Sequence, residues 1–97
     1  MKLYSIKCKS LKIYNTPFPA TDDGQAVNLV RNVVRQGNEK QLVTDIQDLS
    51  LFSVGVFDSK EGIKNTRPKL VTDLAAIPGI FDLVKEVVEN VAAVPEA

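Results

Sequence analysis

The stretch from Asp48 to Gly62, DLSLFSVGVFDSKEG, constrains this chain more than any other part of it. Residues Leu49 to Phe57 are rich in β-formers, and Asp58 to Gly62 has the composition of a type I turn closed by a left-handed glycine. The stretch therefore predicts a strand, a tight turn and a return strand beginning at Ile63 and ending before Pro68. Apolar residues occupy both alternating sets: Leu49, Leu51 and Phe57 on one, Phe52, Val54 and Val56 on the other. That is the pattern of a central strand covered on two sides, or covered on one side by a partner molecule. Gly55 inside it marks either a bulge with a close backbone approach or, the plainer reading, room for a helix residue packed over the sheet.

The other elements are drawn around that hairpin. Residues 2–8 alternate as a strand, with Tyr4, Ile6 and Cys8 on one face and Leu3, Ser5 and Lys7 on the other. Lys9 and Ser10 turn the chain toward a short partner around Leu11 to Tyr14, and Pro17 and Pro19 confine the next piece to an edge or connector. Thr21 or Asp22 can cap a helix over 22–36, whose apolar stripe is Ala26, Val27, Leu29, Val30, Val33 and Val34. Gly37 and Asn38 stop it, and residues 38–48 read as a polar loop in which Leu42 and Val43 tuck inward. Pro78 and Gly79 break the chain before a second amphipathic helix over 80–94, with Ile80, Phe81, Leu83, Val84, Val87, Val88 and Val91 on one arc.

These elements predict one α+β domain over 1–97: a small, mostly antiparallel sheet packed by one central amphipathic helix, plus a C-terminal amphipathic helix. Residues 1–66 form the sheet and helix core, 67–79 a linker and 80–94 the last helix. Two-sided apolar strands and two amphipathic helices exceed the needs of one thin core, which points to a homodimer.

Twelve basic and twelve acidic residues cancel, so whole-chain charge speaks against a histone-like nucleic-acid binder. The distribution is uneven: residues 1–14 hold Lys2, Lys7, Lys9 and Lys12 and no acid. A single cysteine, Cys8, excludes an internal disulfide and suits a reducing cytoplasm. No apolar run reaches the roughly eighteen residues of a membrane span, and charge interrupts the N-terminus too early for a signal peptide.

Chemistry is sparse. The chain has no histidine, which removes the usual general base and the commonest metal ligand. Cys8 alternates with Tyr4 and Ile6 and reads as a core residue, while Asp22 and Asp23 at a helix start read as caps. The glycines never cluster into a phosphate cradle. The expectation is a non-enzyme without metal or cofactor. The pattern with most chemical content is Lys7, Lys9 and Lys12 beside Tyr14, cations near a ring, with Arg31 and Arg35 one helical turn apart as a second basic stripe. The plainer reading of both is solvated faces of a strand and a helix.

Two motifs add a family. Pro17 to Ala26 follows P-F-x-A-x-x-D-x-x-A, and Asp48 to Gly62 follows D-x-x-L-F-x-V-G-x-F-D-x-x-x-G. Over Met1 to Gly62 the chain resembles the small nonstructural protein of gokushoviruses, single-stranded DNA phages of the Microviridae. The resemblance implies an early, non-virion product of a very small phage genome, working in the bacterial host cytoplasm. Its implied role is binding single-stranded DNA during genome replication or the switch to packaging. The competing role is a protein–protein module contacting a replication, scaffolding or host factor without touching DNA. The matched motifs are cap, core strand and turn, so no binding residue is carried over. Two departures stand out: Val56 occupies a position often acidic in the family, and the helix over 80–94 extends beyond the usual hairpin end.

Overall fold

A computed structural model describes residues 1–36 and 45–93 of the chain. The expected stop at Gly37 and Asn38 and the inward Leu42 and Val43 lie outside those residues. The alternation of residues 2–8 becomes strand β1 (Lys2–Cys8), with Tyr4, Ile6 and Cys8 buried. Strands β2 (Ile13–Tyr14) and β3 (Phe18–Ala20) both pair antiparallel with the same edge of β1, through Lys7↔Tyr14 and Tyr4↔Phe18. Pro17 and Pro19 cost no ladder bonds there, because this broken strand is an edge of the sheet.

The hairpin pairs β4 (Leu49–Asp58) antiparallel with β5 (Gly62–Asp73), and the sheet order is β2-β1-β4-β5. Gly62 takes the left-handed φ of 85° that the turn requires. The Asp58 carboxylate accepts from the Lys60 N–H at 2.7 Å, closing the turn from within. The return strand does not end before Pro68 as expected; it runs through that residue to Asp73, across much of the stretch that reads in sequence as a linker. β5 is the other edge of the sheet, and its register with β4 slips between Ser53 and Gly55 and again between Leu51 and Phe52. Pro68 falls in the wider of these bulges, where no ladder donor is missed.

Gly55 belongs to the same irregularity. A Cβ there would stand 2.8 Å from the Lys64 carbonyl oxygen and 3.7 Å from Leu3 Cδ1, with no helix residue among its nearest neighbours. The close-backbone reading of this glycine is therefore the correct one, and the helix-packing reading is not.

Helix α1 (Asp23–Gln36) starts within one residue of where the sequence places it. The Gln25 N–H donates to the Asp22 carboxylate at 2.8 Å, and the Gln25 side-chain carbonyl accepts from the Thr21 N–H at 2.6 Å. Two otherwise open backbone donors are closed in this way. Ala26, Val30 and Val34 face the sheet. The end of the expected polar loop carries a 3₁₀ turn (Ile46–Asp48) with Ile46 buried. A second 3₁₀ turn (Leu74–Ala76) and Gly79, at a φ of 76°, lead into helix α2 (Ile80–Ala93). Ile80 is buried and Leu83 and Val84 pack on the core, whereas Phe81, expected in the apolar arc, is about half exposed. The side chains of Val87, Val88 and Val91 lie outside the described residues.

Both helices cover one face of the sheet. Between them and β1 and β4 lies a core of Tyr4, Ile6, Cys8, Leu49, Leu51, Ala26, Val30, Val34, Leu74, Ile77 and Ile80. Each Leu or Ile buried there contributes on the order of 1.5–3 kcal/mol of transfer free energy. The Tyr4 ring is fully enclosed and stacks with Phe18, and its hydroxyl donates to the Asp23 carboxylate at 2.7 Å. Burial, and then that carboxylate, hold the phenol in its neutral form well above the ordinary tyrosine range.

Candidate nucleic-acid interface

The sheet face away from the helices is where the expected cation and ring meet. Strand alternation sends Lys7 to that face, and the register sets it between Tyr14 on β2 and Ser50 on β4. Phe52, further along β4, lies between Ser5 of β1 and Leu70 of β5. The Lys7 ammonium sits 5.1 Å from the Tyr14 ring centre and 5.6 Å from that of Phe52. The rings themselves meet edge to face at 5.6 Å and 81°. Each such cation–ring contact contributes on the order of 0.5–1 kcal/mol where water has access, enough to orient the ammonium without removing it from solvent.

The other lysines are tied less closely. Lys9 faces Asp73 at 3.7 Å, with both side chains about half exposed. A surface pair of this kind has marginal energetic value. Asp73 also accepts from the Ser50 hydroxyl at 2.6 Å, so the acid is anchored independently of the lysine. Lys12 is exposed, in the β1–β2 turn, with a left-handed φ of 57°. Asp48 braces that turn: its carboxylate accepts from the Ser10 N–H at 3.0 Å, the Ser10 hydroxyl at 2.5 Å and the Cys8 thiol at 3.1 Å. The Ser10 hydroxyl first, and then the Cys8 thiol, hold the Asp48 carboxyl below its ordinary range. Cys8 is thus a buried structural thiol that donates to a carboxylate.

Arg31 and Arg35 do not join this surface. They belong to α1, on the opposite side of the sheet. Arg31 is half-buried, and its guanidinium donates to the Pro78 carbonyl at 3.0 Å, bracketing α1 to the lead-in of α2. Arg35 is exposed near the end of the helix, where a cation complements the dipole. The basic stripe expected from their spacing is accordingly one structural bracket and one solvated side chain.

Sequence reasoning misses two contributions. Phe52 reads in sequence only as one face of a strand, because the cross-strand register alone shows that it meets Lys7 and Tyr14. Ending the return strand before Pro68 sets Lys69 aside, yet it is an exposed cation on the β5 edge. Leu70, Val71 and Thr72, a run of β-formers beyond the proline, are the signal that the strand goes on.

Between the Lys7 cluster and the β5 bulge lies an open groove of about 300 Å³, lined by Ser5, Tyr14, Asn15, Pro17, Val54 and Thr66 among others. Among the described residues no three His, Cys, Asp or Glu side chains gather to hold a metal ion, and no helix is long and apolar enough to cross a membrane.

A curled antiparallel sheet with two helices on one face and a cation–aromatic cluster on the other defines a small α+β protein with an open sheet surface. Residues 1–77 match the family described as Phage ORF5 protein, and the chain belongs to that family. The match runs past the hairpin motif and just beyond the second 3₁₀ turn, and α2 lies wholly outside it. No curated protein and no solved structure is significantly similar to the chain.

Proposed function

We propose that this phage protein is a non-catalytic binder of single-stranded DNA, acting in the host cytoplasm during genome replication or the switch to packaging. Gokushovirus origin within the Microviridae is part of the same reading and rests on the two sequence motifs. The observation that carries the DNA assignment is the Lys7 ammonium held over Tyr14 and Phe52 on the sheet face opposite the two described helices. Single-strand binders combine cations for the backbone with rings on which bases stack, and here both come from adjacent strands. Arg67, exposed in the β5 bulge between the groove residues Thr66 and Pro68, adds a further cation beside this surface.

Fluorescence anisotropy with a labelled single-stranded oligonucleotide, at low and at physiological salt, tests this. The slope of log affinity against log salt is about −0.7 per phosphate neutralised on a single strand. The variant K7E/K9E/K12E should abolish binding at physiological salt. Affinity that ignores both salt and the triple variant would sink the assignment.

A second reading, a protein–protein module in which the chain works as a homodimer or meets a replication factor, is favoured by one observation. Met1, Phe57 and Ile63 are 60%, 46% and 65% exposed at the hairpin end. There the Met1 and Phe57 backbones bond each other and Phe57 pairs with Ile63, so the three form one apolar patch. Sedimentation of the F57D/I63D variant tests it: a fall in mass relative to the parent chain supports self-association through that end, and a monomeric parent chain refutes it.

A further inference from the structure

The groove beside the Lys7 cluster is built from unlike walls. Tyr14, Asn15 and Pro17 stand on the β2–β3 edge, Ser5 and Val54 form the floor on β1 and β4, and Asn65, Thr66 and Pro68 close the β5 side. It exists because of the bulge: between Ser53 and Gly55 the pairing on β5 jumps from Lys69 to Asn65, and the extra residues stand clear of the ladder. The lining is mainly apolar, with a ring at one end. Asn15, Asn65 and Thr66 are all exposed, and none of their side chains bonds another described residue. The Ser5 hydroxyl, by contrast, is already engaged with the Asn15 carbonyl at 2.6 Å. The site therefore offers a flat apolar bed, one stacking ring, and two amides and a hydroxyl with free donors and acceptors at its rim. Cations flank it on both sides, Lys7 over Tyr14 and Arg67 between two lining residues.

We infer that this groove seats one unstacked nucleobase of a bound single strand, with Asn15, Asn65 and Thr66 reading the base edge. The inference rests on the DNA-binding reading and adds base selectivity to it. An Asn amide presents a donor and an acceptor side by side, the pattern that pairs with a base edge, whereas the lysines contact phosphate and carry no sequence information. Apolar stacking alone would accept every base, since each has a π-face. Selectivity must then come from the amides and the hydroxyl.

The test uses the full chain and three labelled homopolymers, dA, dC and dT, titrated by anisotropy against the parent and N15A/N65A. Both asparagines are exposed and bond to the rest of the fold only through their backbones, so the variant should fold; circular dichroism confirms it. The parent should separate the best and worst homopolymer by ten-fold or more. The variant should narrow that spread to about three-fold with an unchanged salt slope, each lost hydrogen-bonding group accounting for roughly three- to ten-fold. A parent that binds all three equally, or a spread that survives the double substitution, overturns the groove assignment and leaves DNA binding standing. Failure of all three to bind removes both. Deoxynucleoside monophosphates as competitors separate a strand-embedded base from a free nucleotide. Displacement only by oligonucleotide supports the inference, and displacement by micromolar monomer overturns it.

Discussion

The two faces of this sheet come from the same strands and follow opposite rules. Leu51 and Phe52 are neighbours in sequence, yet Leu51 is sealed between sheet and helices while Phe52 lies half-buried under a lysine. On the inner face the enclosed Tyr4 hydroxyl is bonded to Asp23. The outer face keeps a charge, two rings and unbonded amides within reach of water. The packed core lies on one side and the cation–ring cluster on the other, one residue apart.

The sharpest way to break that division is to truncate both neighbours. L51A should cost about 2–5 kcal/mol of unfolding free energy by urea denaturation, because it leaves a cavity in the core. F52A should cost under about 1.5 kcal/mol, the scale of one aromatic pair, while lowering single-stranded DNA affinity by about 1–3 kcal/mol per stacked base lost. Equal stability losses would refute the division.

Gly55 is the next test, because there the constraint comes from backbone. In G55A the new methyl meets the Lys64 carbonyl at 2.8 Å, and a paired strand cannot easily retreat. A loss of about 1–3 kcal/mol is expected from overpacking, together with reshaping of the groove. Unchanged thermal stability would show that the bulge is pliable.

Acid should act more gently and at one end. Asp48 is held below its ordinary range when folded. Its contribution is therefore present above about pH 4 and is lost as pH falls through the lower folded value. D48N should lower the urea midpoint at pH 7, and the gap between the two proteins should narrow as pH falls through the lowered folded value. Parallel curves would mean that the β1–β2 turn does not depend on this carboxylate. Smallest of all is the left-handed position at Lys12. K12G should raise stability by about 0.5 kcal/mol in urea denaturation by relieving a non-glycine residue there. The same change should slightly weaken DNA binding through the lost charge.

Much of the fold is legible in the sequence because it is local. The helix over 22–36 announces itself through Thr21 or Asp22 as a cap and a stripe at three- and four-residue steps, and the observed start differs by one residue. The Gly62 turn is equally local. The length of β5 is not, since whether Pro68 ends a strand depends on whether that strand is an edge, and sheet order is a long-range property. The site divides the same way. Lys7 and Tyr14 meet through a nearby turn, as their spacing suggests, but Phe52 comes to them from the far half of the chain. Arg31 reads as a surface cation until the fold brings the Pro78 carbonyl beside it.

Sequence alone therefore determined the α+β class, the capped helix, the glycine-closed hairpin and the phage family, because backbone preference and apolar periodicity act over a few residues. Tertiary structure decided which face of each strand is dry, that Gly55 yields to a neighbouring carbonyl, and that a lysine and two rings share one surface. Those outcomes depend on register between strands from opposite halves of the chain, and a one-residue slip would send every one of those side chains to the other face.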